Sequence, residues 1–485
     1  MVRGTVVRLV GLVGLIGLVG VVIARRDGAT PAVRTVAVSP NSGGLAVDEQ
    51  RRRAFVGGPN GRVQVLDIAS GVLLRTVNLD PAPDRIFVTA IVVVARSRRL
   101  FVATGHFAGT AGTRDAVVML DTYGRQILRT TPIAASHGPM LSVDARTDRV
   151  FVVAPPPWPG REGQVSVLDA RSGRPLRRVA LAGLPYNVYN LVIDPGTGEV
   201  FLTDTDTGVV SALDGRTGQD LWQRRPHKAA VPGRAVTTGR PAVDGRHHRV
   251  FIANFVTGTV GAYDMRDGRL VGEARLSHGG PTALIANARA GRVFAIQSGW
   301  VHVLDATSGR LLRAIGIGQR FKVVHDLQLT LDVAHNRVLI VDPRANAVSL
   351  LDGVSGRLLH TSSLPPITIA ASPAVDERDG SIVVANAGLP DRMGNLDNLA
   401  SVSVIDSANG TIRRIIPVGR GPGEVAMDEQ GGRVVVLNPA GPRGTASVAD
   451  PWRWVPAYLR HLLPFLSPPT SPATAGEVSI VDMPH

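Results

Sequence analysis

The chain has 485 residues, 44% of them hydrophobic, with 54 glycines and 34 prolines, so it can bury a large core but must turn often. It has no cysteine, which excludes disulfides, thiolate metal sites, c-type haem attachment and a lipidated cysteine behind a leader. The formal net charge of +14 is carried almost wholly by arginine, scattered through stretches such as "RSGRPLRR" and never massed in one block, which argues against a nucleic-acid partner.

The amino terminus, "MVRGTVVRLVGLVGLIGLVGVVIARR", predicts one apolar helix over residues 1–26. Its uncharged stretch from Leu9 to Ala24 lies between Arg8 and Arg25. At about 1.5 Å per residue it is slightly short for a hydrocarbon core of roughly 30 Å, and it is slightly long for the apolar region of a cleaved signal. The reading adopted is an uncleaved signal anchor, with a cleaved signal peptide as the alternative, followed by a linker over 27–32. The first places the rest of the chain outside the cytoplasm on a membrane anchor, and the second secretes it.

From residue 33 to 485 a repeat governs the sequence. Its first element is an Asp, a few residues, a basic residue and an apolar run centred on Phe55, Phe101, Phe151, Phe201, Phe251 and Phe294, with weaker copies in "RVLIVD", "SIVVAN" and "RVVVLN". Its second element is a short alternating strand ending in Asp, from "RVQVLD" at Asp67 through "QVSVLD" and "WVHVLD" to "EVSIVD" at Asp482. A Gly follows four residues later in most copies, as at Gly71, Gly173 and Gly309. An Asp whose carboxylate binds turn N–H groups, with Gly at a positive-φ position, closes a hairpin. A third strand such as "LLRTVNL" follows, and one such as "LAVD" opens the next unit. Four short antiparallel strands per unit, with nine repeats counted, predict an all-β fold: a single β-propeller of four-stranded blades, the alternatives being a ring in which one weak copy is irregular, or two smaller propellers. The ninth copy lacks an outer strand, and "AVRTVAVSP" (Ala32 to Pro40) is expected to supply it and close the ring, leaving no open sheet between the chain ends.

"IPVGRGPGEVAMDEQGGRVVVLN" (Ile416 to Asn438) resembles the signature repeat of YVTN-type, YncE-like bacterial propellers, and "GPMLSVDARTDRVFVV" and "PAVDGRHHRVFIAN" look like variants of it. "ALDGRTGQDLWQ" looks like the tryptophan-docking repeat of quinoprotein dehydrogenases, with its Trp at Trp222. The resemblance implies a propeller of the quinoprotein-dehydrogenase-like superfamily and an exported binding or surface protein. The quinone-contacting cysteine pair of the dehydrogenases has no counterpart here, so no cofactor is expected.

In such a blade the loops joining the second and third strands, and the links to the next blade, emerge on one face, here called upper. Those loops are long in copies 2, 3, 8 and 9, which with copy 1 are neighbours in a closed ring, so the elaborations gather in one sector, where loops on a rigid scaffold carry function. The insertion over 438–476 contains "DPWRWVPAYLRHLLPFLSPP", whose Trp452, Arg453, Trp454 and Tyr458 suit contact with a membrane interface or a partner. The links carry Tyr186, Asn187, Arg320, Lys322, His325 and Asp326, candidates for a small anionic or polar ligand, and His137, His278 and His325, candidates for a metal. No H-E-x-x-H, G-x-S-x-G or phosphate-loop motif is present. The expected function is a non-catalytic binding or scaffold module for a protein, glycan or lipid surface. The alternative is a lyase, hydrolase or oxidoreductase working at the channel mouth.

Overall fold

The computed structural model describes residues 32–39, 43–79, 86–106, 115–133, 139–154, 163–181, 189–204, 208–224, 240–277, 279–297, 299–317, 328–342, 345–365, 373–376, 378–386, 400–419, 421–438 and 476–483. The expected apolar helix over 1–26 and the linker that follows lie outside the described residues up to Ala32. Among those described, no helix is long and apolar enough to cross a membrane.

Every strand belongs to one of nine four-stranded antiparallel sheets. Eight are simple meanders, at residues 45–78, 86–132, 140–181, 189–224, 242–275, 283–316, 328–363 and 374–417. The ninth takes three strands from 424–482 and its fourth, outermost one from Val33–Val38. Strands A to D run from the inside of each blade outward. The expected closing strand is therefore present, with Val33 opposite Val481 and Val38 opposite Gly476.

The second strand of each blade is buried on both faces, which is why it reads as an unbroken apolar run instead of an alternating one. The strand period of two then sends neighbouring side chains to opposite neighbours. Phe55 packs with Val88 and Leu100 of blade 2, whereas Ala54 and Val56 pack with Val36, Val435 and Val478 of blade 9. Nine such apolar clusters occupy the nine boundaries between consecutive blades, including the one between the last blade and the first. The six repeat phenylalanines are all fully buried in them. A single closed ring follows.

On the lower face the Asp hairpins form as the sequence requires. Asp67 Oδ1 accepts from the Ser70 N–H at 2.7 Å and from its hydroxyl at 2.8 Å, while Gly71 takes φ 71° and donates to the Asp67 carbonyl at 2.9 Å. Asp169, Asp305 and Asp352 repeat the geometry with Ser172, Ser308 and Ser355. Burial alone would raise these four carboxyls. The turn hydrogen bonds and the nearby Arg53, Arg149, Arg292 and Arg337 outweigh it and hold them below the usual carboxylate range.

Those arginines open the second strand in seven of the nine blades. Several do more than ease the charge on their own turn, because they also reach the next blade. Arg149 pairs with Asp169 at 3.2 Å and donates through Nε to the Arg216 carbonyl in the following hairpin at 3.0 Å. Arg249 pairs with Asp264 at 3.0 Å and donates to the Thr307 carbonyl at 2.9 Å. In blade 9 the pin comes from the closing strand: Arg34 holds Asp482 at 2.7 and 2.9 Å and donates to the Ala69 carbonyl of blade 1 at 2.6 Å. Repeated arginine is thus in good part an inter-blade clasp.

Blade 4 breaks the pattern, with Glu199 at the arginine position. Burial raises the pKa of Glu199, Asp194 raises it further, and Glu199 Oε2 is buried without a hydrogen-bond partner. Replacing it by Glu199→Arg is expected to stabilise the ring by about 1 kcal/mol, by removing the like charge and restoring a half-buried pair with Asp214. The check is the first thermal unfolding transition, which should move up; an unchanged or lower midpoint would show that the clasp adds nothing at this boundary.

Candidate functional site

The described upper face is organised by one repeat position, the last residue of the second strand. It is Asp204, Asn254, Gln297, Asp342, Asn386 and Asn438 in blades 4 to 9, all buried. A short polar side chain here folds the loop that follows. Asn254 Oδ1 accepts from the Val256 N–H at 2.9 Å and the Thr257 N–H at 3.0 Å, and Gly258 donates to the Asn254 carbonyl at 3.0 Å. The Leu276 N–H then ties the end of the outer strand to the Gly258 carbonyl at 2.8 Å.

This capping has a consequence in blade 5. The two residues at the crest of the turn are Phe255 and Val256, 39% and 38% exposed, on a backbone too constrained to fold them inward. Beside them lies a shallow, open cleft of about 470 Å³ lined by Val256, Thr257, Gly258, Arg275, Leu276, Ser277 and Gly279. Arg275 makes no ion pair among the described residues and is exposed. The site therefore offers an apolar crest, a guanidinium and hydroxyl groups on a rigid support. An apolar surface beside a guanidinium and hydroxyls is equipped to bind.

The candidates read from the sequence are not among the described residues. Tyr186, Asn187, Arg320, Lys322, His325 and Asp326 fall outside the described residues, as do His137 and His278 and the Trp452, Arg453, Trp454 and Tyr458 group. Among the described residues no group of three His, Cys, Asp or Glu could hold a metal ion. The Phe255–Val256 crest was available in the sequence as "NFVTG", an Asx-capped turn with apolar residues where turns usually carry polar ones.

One described constellation has the residue types of a nucleophilic triad. Asp332 Oδ2 is 2.8 Å from His335 Nδ1, and Ser407 Oγ is 3.3 Å from the same Nδ1. In a working triad the acid and the nucleophile hold opposite ring nitrogens, and the nucleophile is reachable. Here they share one nitrogen and Ser407 is fully buried. Burial pushes the Asp332 carboxyl up, but hydrogen bonds from Ser407 and His335 bring it below its ordinary value. The group clasps blade 7 to blade 8.

A closed ring of nine four-stranded blades, clasped below and varied above, defines a quinoprotein-like β-propeller. The family described as outer membrane protein assembly factor BamB matches residues 59–258 and again 256–440, and the chain belongs to that family. No curated protein matches it. Among solved structures, Sqt1 of Saccharomyces cerevisiae is similar at 10% identity over 81% of this chain and 100% of its own, with a TM-score of 0.50. The C-terminal WD40 domain of Sif2 is similar at 11% identity over 94% and 100%, also with a TM-score of 0.50. BamB from Moraxella catarrhalis matches at 17% identity over 68% and 92%, with a TM-score of 0.45.

Proposed function

We propose that the chain is an exported, membrane-anchored and non-catalytic scaffold that holds a protein partner on its upper face. The observation that carries this reading is the exposed Phe255–Val256 crest, held by Asn254 beside a cleft with an exposed Arg275. Exposed apolar side chains fixed next to an arginine are the ingredients of an interface hot spot. Membership of a family described by an assembly factor supports a protein as the thing bound. The leader over 1–26 and the YVTN-type signature at Ile416 to Asn438 support export and anchoring. A lipid surface enters through Trp452, Arg453, Trp454 and Tyr458, whose residue types suit a headgroup region.

Cross-linked co-purification of the full chain from its native membranes, read by mass spectrometry, tests this. A stoichiometric protein partner is expected, and its recovery should fall at least about fivefold with Phe255→Ser plus Val256→Ser, since roughly 1 kcal/mol of apolar burial or more is lost. Membrane fractionation of Trp452→Ser plus Trp454→Ser separates lipid contact from partner contact. No captured protein, or recovery unchanged by the crest substitutions, would defeat the scaffold reading at this site.

A further inference from the structure

A propeller's outermost strands are sheet edges, each with one row of unpaired backbone groups, and they need protection from pairing with other chains. Eight of the nine outer strands have it. In each, the register against the third strand slips by one residue at the same place, as between Val65 and Leu66, Val167 and Leu168, or Val303 and Leu304. The resulting β-bulge bends and twists the edge. Exposed arginines follow the bulge in several, as at Arg75, Arg177 and Arg313, and repel a like edge.

The ninth outer strand, Val33–Val38, has no bulge: its register against Gly476–Asp482 is continuous from end to end. Its single charge, Arg34, is bound to Asp482 and to the Ala69 carbonyl and is not offered to an incoming strand. The Asp482 N–H donates to the Ala32 carbonyl at 3.1 Å, which fixes the parity: Arg34, Val36 and Val38 hydrogen-bond inward, and Val33, Thr35 and Ala37 present their N–H and C=O groups outward. Those three residues are exposed.

We propose that this strand is a homodimerisation edge, pairing antiparallel with the same strand of a second copy about a two-fold axis at Thr35. The occupant is argued from self-complementarity. In that register Thr35 faces Thr35 of the second copy and Val33 faces Ala37, so all the outward groups of both strands meet in hydrogen-bonded pairs. Thr–Thr and Val–Ala pairs are compatible, and Arg34 stands opposite Val36, so no two charges oppose each other. A two-fold contact of this kind closes on itself and does not propagate into a fibre. The other eight edges, bent and mostly basic, lack the match.

Light scattering on the purified full chain tests the proposal. The expected mass is twice the 51.1 kDa of one chain, and Thr35→Pro should reduce it to one chain at the same concentration with an unchanged unfolding midpoint. Proline there removes an outward N–H and leaves the inward ladder intact. Because the chain contains no cysteine, Thr35→Cys gives a single thiol, expected to form a disulfide-linked dimer at least tenfold faster than Leu74→Cys on the bulged edge of blade 1. A monomer at every concentration, a dimer that survives Thr35→Pro, or equal cross-linking at both thiols would overturn it.

Discussion

Val36→Asp is expected to open the ring. Val36 and Val38 of the closing strand are 7% and 4% exposed, packed among Val435, Val478 and Ile480 of blade 9 and Ala54 and Val56 of blade 1. The cation on that face, Arg34, is already held by Asp482 and the Ala69 carbonyl, so a carboxylate there must either lose its charge or drag water into the boundary, at a cost of about 3–5 kcal/mol. The strand also joins two segments remote in sequence: Arg34 and Asp482 are 448 positions apart. Without it, blade 9 keeps three strands and its third exposes a long apolar edge. The measurement is the first denaturant transition together with the mass in solution, and both loss of that transition and aggregation are expected. Thr35→Asp, on the exposed side of the same strand, should shift the transition by no more than about 0.5 kcal/mol when both chains are compared at a concentration where the parent is a monomer. A Val36→Asp chain that unfolds like the parent would mean that the ring is not closed by this strand in solution.

Trp222→Ala is expected to cost about 3–5 kcal/mol, because the indole does at blade 4 what arginine does elsewhere. With Glu199 at the clasp position, the outer strand supplies the bridge. Trp222 Nε1 donates to the Met265 carbonyl of blade 5 at 2.6 Å, and its ring lies 6.0 Å from that of Phe201 at 47°. The indole is 7% exposed and rests over Gly268, where an added Cβ would come within 2.6 Å of it. Trp222→Phe keeps most of the packing and loses the hydrogen bond, so about 1 kcal/mol is expected for it. Gly268→Ala should approach the severity of Trp222→Ala, since it needs φ +68° from an L residue as well as space the indole occupies. Thermal unfolding and amide exchange over strands Val210–Leu213 and Thr259–Asp264 would read these effects. A Trp222→Ala chain with parental exchange rates there would remove the indole from the clasp.

The predicted ligand-contacting side chains, from Tyr186 to Asp326, were read from residue type alone and lie outside the described residues. The blades are the opposite case: their conformation is set within a few residues of each motif. Asp–x–x–Ser–Gly makes its hairpin from its own carboxylate, hydroxyl and glycine, so the lower turns were legible wherever the letters occurred. The buried second strands were legible because a residue with apolar neighbours on both sides of a sheet can only be apolar. Even closure was readable, since a ninth copy lacking one strand and a spare strand at the start are two local facts that fit.

What stayed hidden was carried by partners far apart in the chain. Arg149 meets the Arg216 carbonyl across 67 positions and Trp222 meets Met265 across 43, and in the sequence both look like surface residues of a repeat. The absence of a bulge in Val33–Val38 is a matter of register, which is decided by pairing with a strand from the other end of the chain. Sequence alone therefore determined the repeat, the four-stranded blade and the closing strand, because each rests on short-range geometry and on burial from both sides, whereas the count of nine in one ring was decided by the sheets themselves. The clasps and the bulge-free closing edge were decided by tertiary structure, because each depends on which distant segment a residue comes to face.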